Sequence, residues 1–307
     1  MLYPLLFKPV YKDYIWGGNR IPKIFHRTGP PGKCAESWEV SDHPDGMSVI
    51  ENGPLKGLTL HELFLENKEA LMGKDSHFER FPLLIKIIDA AESLSVQVHP
   101  NDKTAAKFGG EAKTESWVVL DATEKASVYA GLKENISKEE ILQKLPTKEI
   151  LSLMRTIPIK KGDVIFIPGG RLHAIGAGSL VFEVQQNSNT TYRVYDYDRG
   201  RPLHLEQAKK VMRYEDIEDP LITPLPIEKT KGYIRTELIR TPYFVMEKWI
   251  IHHTIPWEKL EDKMEILFIL EGEISLIPTG RSLLLPAHCA PLEIPTRGVT
   301  LFRVYLP

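Results

Sequence analysis

Seven residues, Ser93 to His99, alternate strictly between polar and apolar side chains. Side chains of a β-strand point to opposite faces in turn, so Leu94, Val96 and Val98 share one face and the polar residues share the other. The pattern predicts a strand over these seven residues, closed by Pro100. If this strand is buried in a sheet, its polar face must have a structural or functional role.

Proline and glycine, the residues typical of turns, are frequent throughout the chain and also indicate a β structure. The 307 residues include 23 prolines and 21 glycines, which are scattered without a low-complexity tract or a periodic repeat. This density predicts many short strands joined by turns. Capping boxes at 59–62 and 137–140 predict two helices within this β framework. The expected fold class is therefore mainly β with a few helices.

The run from Phe81 to Asp89 is almost wholly apolar and contains a single lysine, Lys86. A continuous apolar strand of this kind is buried on both faces. Lys86 must then either extend its ammonium to water along an apolar stem or point at an anion.

Composition excludes several classes of partner. Hydrophobic residues make up 42% of the chain, charged residues 26%, and the net charge is −2, so no bulk attraction to nucleic acid or membrane is expected. No apolar run approaches the roughly 20 residues of a membrane span. Cys34 and Cys289 have no metal-type spacing, which predicts free thiols and a cytoplasmic location. Prolines at 220, 224 and 226 indicate a domain boundary.

Side chains that can bind a metal occur on the strand predicted over Ser93–His99 and in segments that can lie close to it. Gln97 and His99 project from the same strand face, close enough together for one cation to bridge them. The alternative is that His99 is an ordinary surface histidine that binds no metal. Between Gly162 and His173, a strand enters a Pro/Gly turn that can carry His173 back toward that strand. Glu115 begins another strand and can face inward beside them.

The sequence resembles a known family at these segments. Gly162, Pro168, Gly170 and His173 match the second signature of the cupins. The segments LSVQVHPND, KTESWVVL, GRLHAIGAG and FEVQQNSNTTYRVYDYDR closely resemble the type I mannose-6-phosphate isomerases in their short bacterial form. The resemblance is strong over roughly residues 1–215.

The resemblance implies two jelly-roll (cupin) domains. Residues 1–215 would form the catalytic domain, with helices packed around it and one zinc ion per chain. Residues 216–307 would form a degenerate cupin-like domain without a metal site and with a structural role. The implied zinc ligands are Gln97, His99, Glu115 and His173, a set that leaves the zinc a Lewis acid because it holds a single carboxylate.

The implied reaction is the reversible interconversion of mannose 6-phosphate and fructose 6-phosphate through a cis-enediol. Glu183, Arg193 and Lys113 of this sequence match positions that lie near the sugar in the family. Arginine is a poor base, so we expect Arg193 to act electrostatically and Glu183 or Lys113 to carry the proton. Without the resemblance, Glu183 and Arg193 would be interpreted as a structural ion pair.

The same resemblance implies which residues contact the substrate. Ser95 and Lys86 match positions associated with the phosphate, and Trp16 and Glu36 match positions that line the site. The expected partners are a sugar phosphate and at most a second copy of the chain in a weak homodimer.

Other functions also fit the sequence. Cupins also serve as non-catalytic sugar sensors and as iron dioxygenases. Gln97 at a ligand position argues against oxygen chemistry. A sugar-phosphate-binding protein without turnover, and an isomerase of another aldose phosphate, are the alternatives.

Overall fold

A computed structural model describes residues 2–274, 277–290, 293–294 and 298–307. Within these ranges the chain forms 22 strands and six helices, so the mainly-β prediction is confirmed. Numbered in chain order, the helices are α1 (Arg20–Ile24), α2 (Leu60–Met72), α3 (Asp102–Phe108), α4 (Lys138–Lys144), α5 (Ile150–Leu153) and α6 (Leu205–Val211).

The strands form antiparallel sheets. A seven-stranded sheet has the order β14 (Leu221–Ile222), β10 (Val164–Ile167), β7 (Glu115–Ala122), β12 (Ser179–Gln186), β5 (Leu83–Ala90), β3 (Glu36–Val40), β2 (Val10–Lys12). A five-stranded sheet has the order β13 (Tyr192–Tyr195), β6 (Val96–Val98), β11 (His173–Ile175), β8 (Ser127–Leu132), β9 (Met154–Pro158).

The C-terminal part of the chain contributes six strands to an eight-stranded sheet, and two N-terminal strands complete it. Its order is β15 (Leu225–Lys229), β16 (Tyr233–Arg240), β17 (Val245–Ile251), β22 (Val299–Tyr305), β19 (Glu265–Glu271), β20 (Ser282–Leu285), β1 (Leu5–Lys8), β4 (Val49–Ile50). The strands β18 (Ile255–Pro256) and β21 (Glu293–Ile294) form a separate pair.

The seven-stranded sheet is the middle layer of the molecule. One face packs on the five-stranded sheet around Trp117, Val119 and Ile165, and its other face packs on the eight-stranded sheet. At the second contact Phe182 stacks on Phe268, with ring centroids 4.6 Å apart. This position explains why all eight residues of β5 are buried, as the apolar run at 81–89 predicts.

Helices cover the outer face of the five-stranded sheet. Ile141 of α4, Ile150 of α5 and Val211 of α6 pack with Val96 and Val98 of β6. The apolar face of β6 is therefore buried beneath helices, which leaves its other face to the interior between the two sheets.

The structure confirms one local prediction and corrects another. The capping box at 59–62 is present: Thr59 accepts from the Glu62 amide, and the Glu62 carboxylate accepts from the Thr59 amide. The strand predicted over Ser93–His99 is too long, because only Val96–Val98 are in strand conformation. Leu94 instead donates its amide to Ile175 O from an irregular segment.

The division at residue 215 remains a prediction. β1 and β4 are N-terminal in sequence yet lie in the eight-stranded sheet, and β14 joins the seven-stranded sheet. Residues 275–276, 291–292 and 295–297, which fall in the predicted 216–307 domain, lie outside the described residues. No helix of the described residues is long and apolar enough to cross a membrane.

Candidate metal centre

Register in two facing sheets brings four predicted ligands together. In the five-stranded sheet, Gln97 of β6 is paired with His173 of β11 on one side and Arg193 of β13 on the other. Glu115, the first residue of β7, belongs to the facing sheet. The interior between the sheets therefore receives side chains that are distant in sequence.

The ligand atoms lie close to one another. His173 Nε2 is 3.3 Å from Glu115 Oε1, and His99 Nε2 is 3.7 Å from Glu115 Oε2. All three side chains are buried, and atoms they offer lie within 4.8 Å of one another. Ligand atoms on a tetrahedral zinc ion are separated by roughly 3.3 Å, so the cluster has suitable dimensions.

The turn before β11 orients His173. Gly170 has a φ of +94°, which a side chain would strain, and its amide donates to His99 O at 2.8 Å. His173 Nδ1 lies 2.9 Å from Arg171 O, and a carbonyl can only accept, so the ring proton is on Nδ1. Nε2 therefore presents a lone pair toward Glu115, the orientation that metal-binding histidines adopt.

Burial controls the protonation of this cluster. It lowers the pKa of His173 to about 3 and places the pKa of His99 well below its usual value, so both rings are neutral. Burial likewise raises the pKa of Glu115 to about 7, against the opposing charge of Lys113. Among the described residues, His99 Nε2 and Glu115 Oε1 have no hydrogen-bond partner. Buried polar atoms in this condition fit a bound cation.

Gln97, the fourth expected ligand, lies next to this cluster. Its amide nitrogen lies 3.3 Å from His173 Nε2, and Ser95 Oγ is 3.4 Å from its Oε1. Amide nitrogen and oxygen are assigned from neighbours, and a half turn of the amide would present Oε1 to the cluster instead. Gln97 thus fits as a fourth ligand in the rotated orientation.

A row of charged side chains runs beside the cluster on the seven-stranded sheet. Glu183 of β12 is paired in register with Lys86 of β5, and Lys86 with Trp38 of β3. Lys86 Nζ lies 3.3 Å from Glu183 Oε1 and 3.7 Å from Glu36 Oε2. Of the two interpretations of Lys86, the one in which it points at an anion is correct, because its side chain is only 4% exposed.

Neighbouring indoles hold both carboxylates. Trp117 Nε1 donates to Glu183 at 2.9 Å, and Trp38 Nε1 donates to Glu36 at 2.6 Å. Burial raises the pKa of Glu183, but the charges of Lys86 and Lys113 outweigh this effect and the net pKa lies below its usual value. Glu183 is therefore ionised at neutral pH.

Glu183 and Arg193 do not form the structural ion pair that their spacing alone would indicate. Glu183 pairs with Lys86, whereas Arg193 Nη1 donates to Pro202 O at 2.7 Å. Arg193 Nε is buried without a hydrogen-bond partner in the described part of the chain. The two side chains instead belong to different sheets that face each other.

A pocket of about 240 Å³ opens above these residues. Eight of the predicted site residues line it: Trp16, Glu36, Lys86, Ser95, Gln97, Lys113, Glu183 and Arg193. His99, Glu115 and His173 are buried beneath the pocket. Lys113 lines the pocket and also contacts this buried cluster, because its Nζ lies 2.9 Å from Glu115 Oε2. The structure therefore brings together every residue that the sequence predicted for the site.

Sequence reasoning missed several lining residues, among them Tyr14, Asn189, Thr191 and Arg201. Arg201 and Arg199 both bind Asp196, at 2.8 Å and 3.0 Å, yet only Arg201 lines the pocket. The charge run at 196–201 was the available signal, but it does not distinguish which arginine turns inward.

A close backbone approach fixes the wall that contains Trp16. A Cβ at Gly18 would lie 2.3 Å from Asp89 Oδ2. That space allows Asp89, at the end of β5, to bind both the amide and the guanidinium of Arg20 at 2.7 Å. The turn that presents Trp16 is thereby anchored to the strand that carries Lys86.

Comparisons with known proteins agree with this geometry. Residues 5–145 match the sequence profile of the phosphomannose isomerase type I catalytic domain. The chain is 40% identical to a mannose-6-phosphate isomerase of Streptococcus mutans over 280 residues, which cover 89% of this chain and 86% of that protein. It is also 40% identical to a probable mannose-6-phosphate isomerase of Bacillus subtilis, with both chains fully covered.

Solved structures give the same result. A crystal structure of mannose 6-phosphate isomerase from Bacillus subtilis superimposes with a TM-score of 0.90 and 33% identity, covering both chains completely. A putative mannosephosphate isomerase of Archaeoglobus fulgidus gives a TM-score of 0.80 at 27% identity, covering 99% of this chain and 97% of that one. With this degree of similarity along its whole length, the chain belongs to the type I phosphomannose isomerase family.

Proposed function

We propose that this protein interconverts mannose 6-phosphate and fructose 6-phosphate through a cis-enediol, with one zinc ion per chain. The observation that carries the proposal is the position of His99, Glu115 and His173 directly beneath a pocket lined by Glu183, Lys86 and Arg193. A cluster of ligands under a pocket with an ionised base suits proton transfer next to a carbonyl.

Gln97, His99, Glu115 and His173 are the residues that would hold the zinc. When bound, zinc supplies Lewis acidity for the oxygens of the open-chain sugar. Two neutral imidazoles, one amide and one carboxylate leave the site with a net positive charge. Lys113, whose ammonium contacts Glu115, adds a second positive charge beside developing oxyanions.

Glu183 is our candidate for the proton carrier. A base must be unprotonated at the operating pH, and the charges of Lys86 and Lys113 keep Glu183 ionised. Lys113 Nζ lies 2.9 Å from Glu115 Oε2, so Lys113 is already occupied by a contact with an expected metal ligand. Glu183 would take the proton from carbon 2 and return it to carbon 1, with Arg193 stabilising charge from the facing sheet.

The phosphate needs cations that are not already neutralised. Glu36 and Glu183 balance the charge of Lys86, and a phosphate dianion beside these carboxylates is unfavourable. Arg201 lines the pocket and shares the single Asp196 carboxylate with Arg199, so these two arginines keep one positive charge that Asp196 does not balance. We therefore propose Arg201 for the phosphate and Lys86 for the sugar end, in preference to the phosphate role expected for Lys86 and Ser95.

Replacing Arg201 by glutamine tests this arrangement. We expect KM for mannose 6-phosphate to rise about 10- to 100-fold, the loss typical of charge-assisted hydrogen bonds, with kcat changed much less. The Arg199→Gln variant is the matched control, because Arg199 also binds Asp196 but does not line the pocket. Equal effects of the two substitutions on KM would contradict the assignment.

Metal binding is expected to release a proton near neutral pH. Glu115 has a pKa of about 7 in the metal-free protein and must ionise to bind a cation. Calorimetry in buffers of different ionisation enthalpy should give about 0.9 proton released at pH 6 and about 0.1 at pH 8 from this group. Affinity therefore falls as the pH drops below 7. Proton release that does not change between pH 6 and pH 8 would exclude this ionisation.

A coupled assay tests the function itself. Purified protein is incubated with mannose 6-phosphate, with and without chelator, and again after zinc is restored, while fructose 6-phosphate is measured. Turnover that is lost to the chelator and restored by zinc is expected. Zinc binding without turnover would favour a sugar-phosphate-binding protein, and turnover only with another aldose phosphate would correct the substrate.

We also propose a cytoplasmic location for the protein. Cys34 and Cys289 are both free, as expected in a reducing compartment. A monomer or weak homodimer stays our expectation for the oligomeric state, to be checked by sedimentation.

A further inference from the structure

A closed ring of hydrogen bonds includes Asn189, which lines the pocket. Glu111 Oε2 accepts from the Asn189 amide at 3.0 Å, and Asn189 Nδ2 donates to Asp45 at 2.7 Å. The Asp45 amide donates to His43 Nδ1 at 3.1 Å, and His43 Nε2 lies 3.1 Å from Glu111 Oε2. Because an amide can only donate, Nδ1 accepts and the ring proton on Nε2 is donated to Glu111.

The ring joins three separate segments. His43 and Asp45 follow β3, which bears Glu36. Glu111 lies two residues before Lys113, in the connection between α3 and β7. Asn189 lies in the connection from β12, which bears Glu183, to β13, which bears Arg193. Each segment therefore contributes both to the ring and to the pocket.

We propose that Glu111 is a positioning residue that acts on the substrate through Asn189. This inference rests on the proposed function. Asn189 lines the pocket, and its backbone amide is held by the Glu111 carboxylate while its side chain is held by Asp45. With Glu111 in place, Asn189 is fixed at two points before any ligand arrives, which reduces the ordering cost of binding.

Stability alone does not account for these contacts. The Glu111 side chain is 38% exposed, and ion pairs at such positions contribute little to folding. Two hydroxyl side chains also hold the Glu111 main chain, because the Glu111 amide donates to Thr190 Oγ1 at 2.9 Å and Ser188 Oγ donates to Glu111 O at 3.1 Å. Both persist when the carboxylate is removed, so Glu111→Ala isolates the function of the carboxylate.

The test compares Glu111→Ala, Asn189→Ala and the double variant. We expect Glu111→Ala to lower kcat/KM about tenfold, with most of the change in KM, because a displaced contact weakens substrate binding. In the double variant the loss should equal that of Asn189→Ala alone, since Glu111 acts through Asn189. Independent, multiplicative losses would overturn the inference, as would a Glu111→Ala variant with wild-type kinetics.

Two further variants separate positioning from charge. Glu111→Gln keeps one oxygen for the Asn189 amide and should recover most of the lost activity. Arg80→Met removes the guanidinium that donates to Glu111 Oε1 at 3.2 Å, leaves Asn189 itself unchanged, and should have a smaller effect than Glu111→Ala. If Arg80→Met matched Glu111→Ala, the charge and not the position of Asn189 would be responsible, and the inference would fail.

Hydrogen exchange gives a readout that does not depend on turnover. In Glu111→Ala, the Asn189 amide should exchange at least about tenfold faster, because it loses its acceptor. Unchanged exchange there would overturn the inference regardless of activity. Faster exchange in a protein that does not isomerise mannose 6-phosphate would instead reject the proposed function and leave the positioning of Asn189 by Glu111 established.

Discussion

Replacing His173 by alanine is expected to remove bound zinc and to lower turnover of mannose 6-phosphate at least about 1000-fold. His173 Nε2 lies 3.3 Å from Glu115 and supplies a lone pair that alanine cannot replace. Loss of a metal that stabilises transition-state charge costs several kcal/mol, and about 4 kcal/mol corresponds to a factor of 1000. Metal content by mass spectrometry and the coupled assay measure the two effects.

His288→Ala is the matched control for this variant. His288 is 57% exposed, pairs with Asp262 and lies outside the cluster. It should retain full zinc content and turnover. A His173→Ala protein that is folded, free of zinc and still active would reject the metal-dependent mechanism.

The second large effect is expected for Glu183→Gln. Glutamine keeps the shape of the side chain and an acceptor for Trp117, but it cannot take a proton. We expect kcat to fall about 10²- to 10⁴-fold, the usual contribution of a general base. Incorporation of solvent deuterium at carbon 2 of the substrate should be lost in parallel, since this exchange reports the proton transfer directly.

Glu36→Gln separates proton transfer from electrostatics. Glu36 is the other carboxylate beside Lys86, at 3.7 Å, and its neutralisation disturbs Lys86 in a similar way. This variant should retain deuterium incorporation at carbon 2 even if its kcat falls. Lys113→Met should also retain exchange if Glu183 is the carrier. Exchange that survives in Glu183→Gln and is lost in Lys113→Met would transfer the role to Lys113.

Short-range patterns in the sequence were sufficient for the fold class and for several elements of the fold. Apolar alternation and turn residues predicted the β class, and the capping residue Thr59 predicted the start of α2. The continuous apolar run at 81–89 predicted a strand buried on both faces, which β5 is. These features depend on neighbouring residues alone, so they can be inferred without knowledge of the fold.

The strand predicted over Ser93–His99 shows the limit of such patterns. Alternation places side chains on faces, but the extent of a strand depends on pairing with its neighbours. Only Val96–Val98 form a strand, because Leu94 bonds to Ile175 outside the regular ladder. Ser95 nevertheless reaches the pocket, so the assignment of faces survived where the secondary structure did not.

By itself, the sequence determined which side-chain types are available for chemistry, and its resemblance to a family named Gln97, His99, Glu115 and His173 as the expected metal ligands. Tertiary structure alone decided their partners. Lys86 pairs with Glu183 and Glu36 because three strands align in register, and Arg193 faces them from another sheet. Asn189 and Glu111, 78 residues apart, form a contact that no local pattern encodes. Side-chain chemistry is a property of each residue, whereas charge balance and position arise only when distant strands pair and sheets pack.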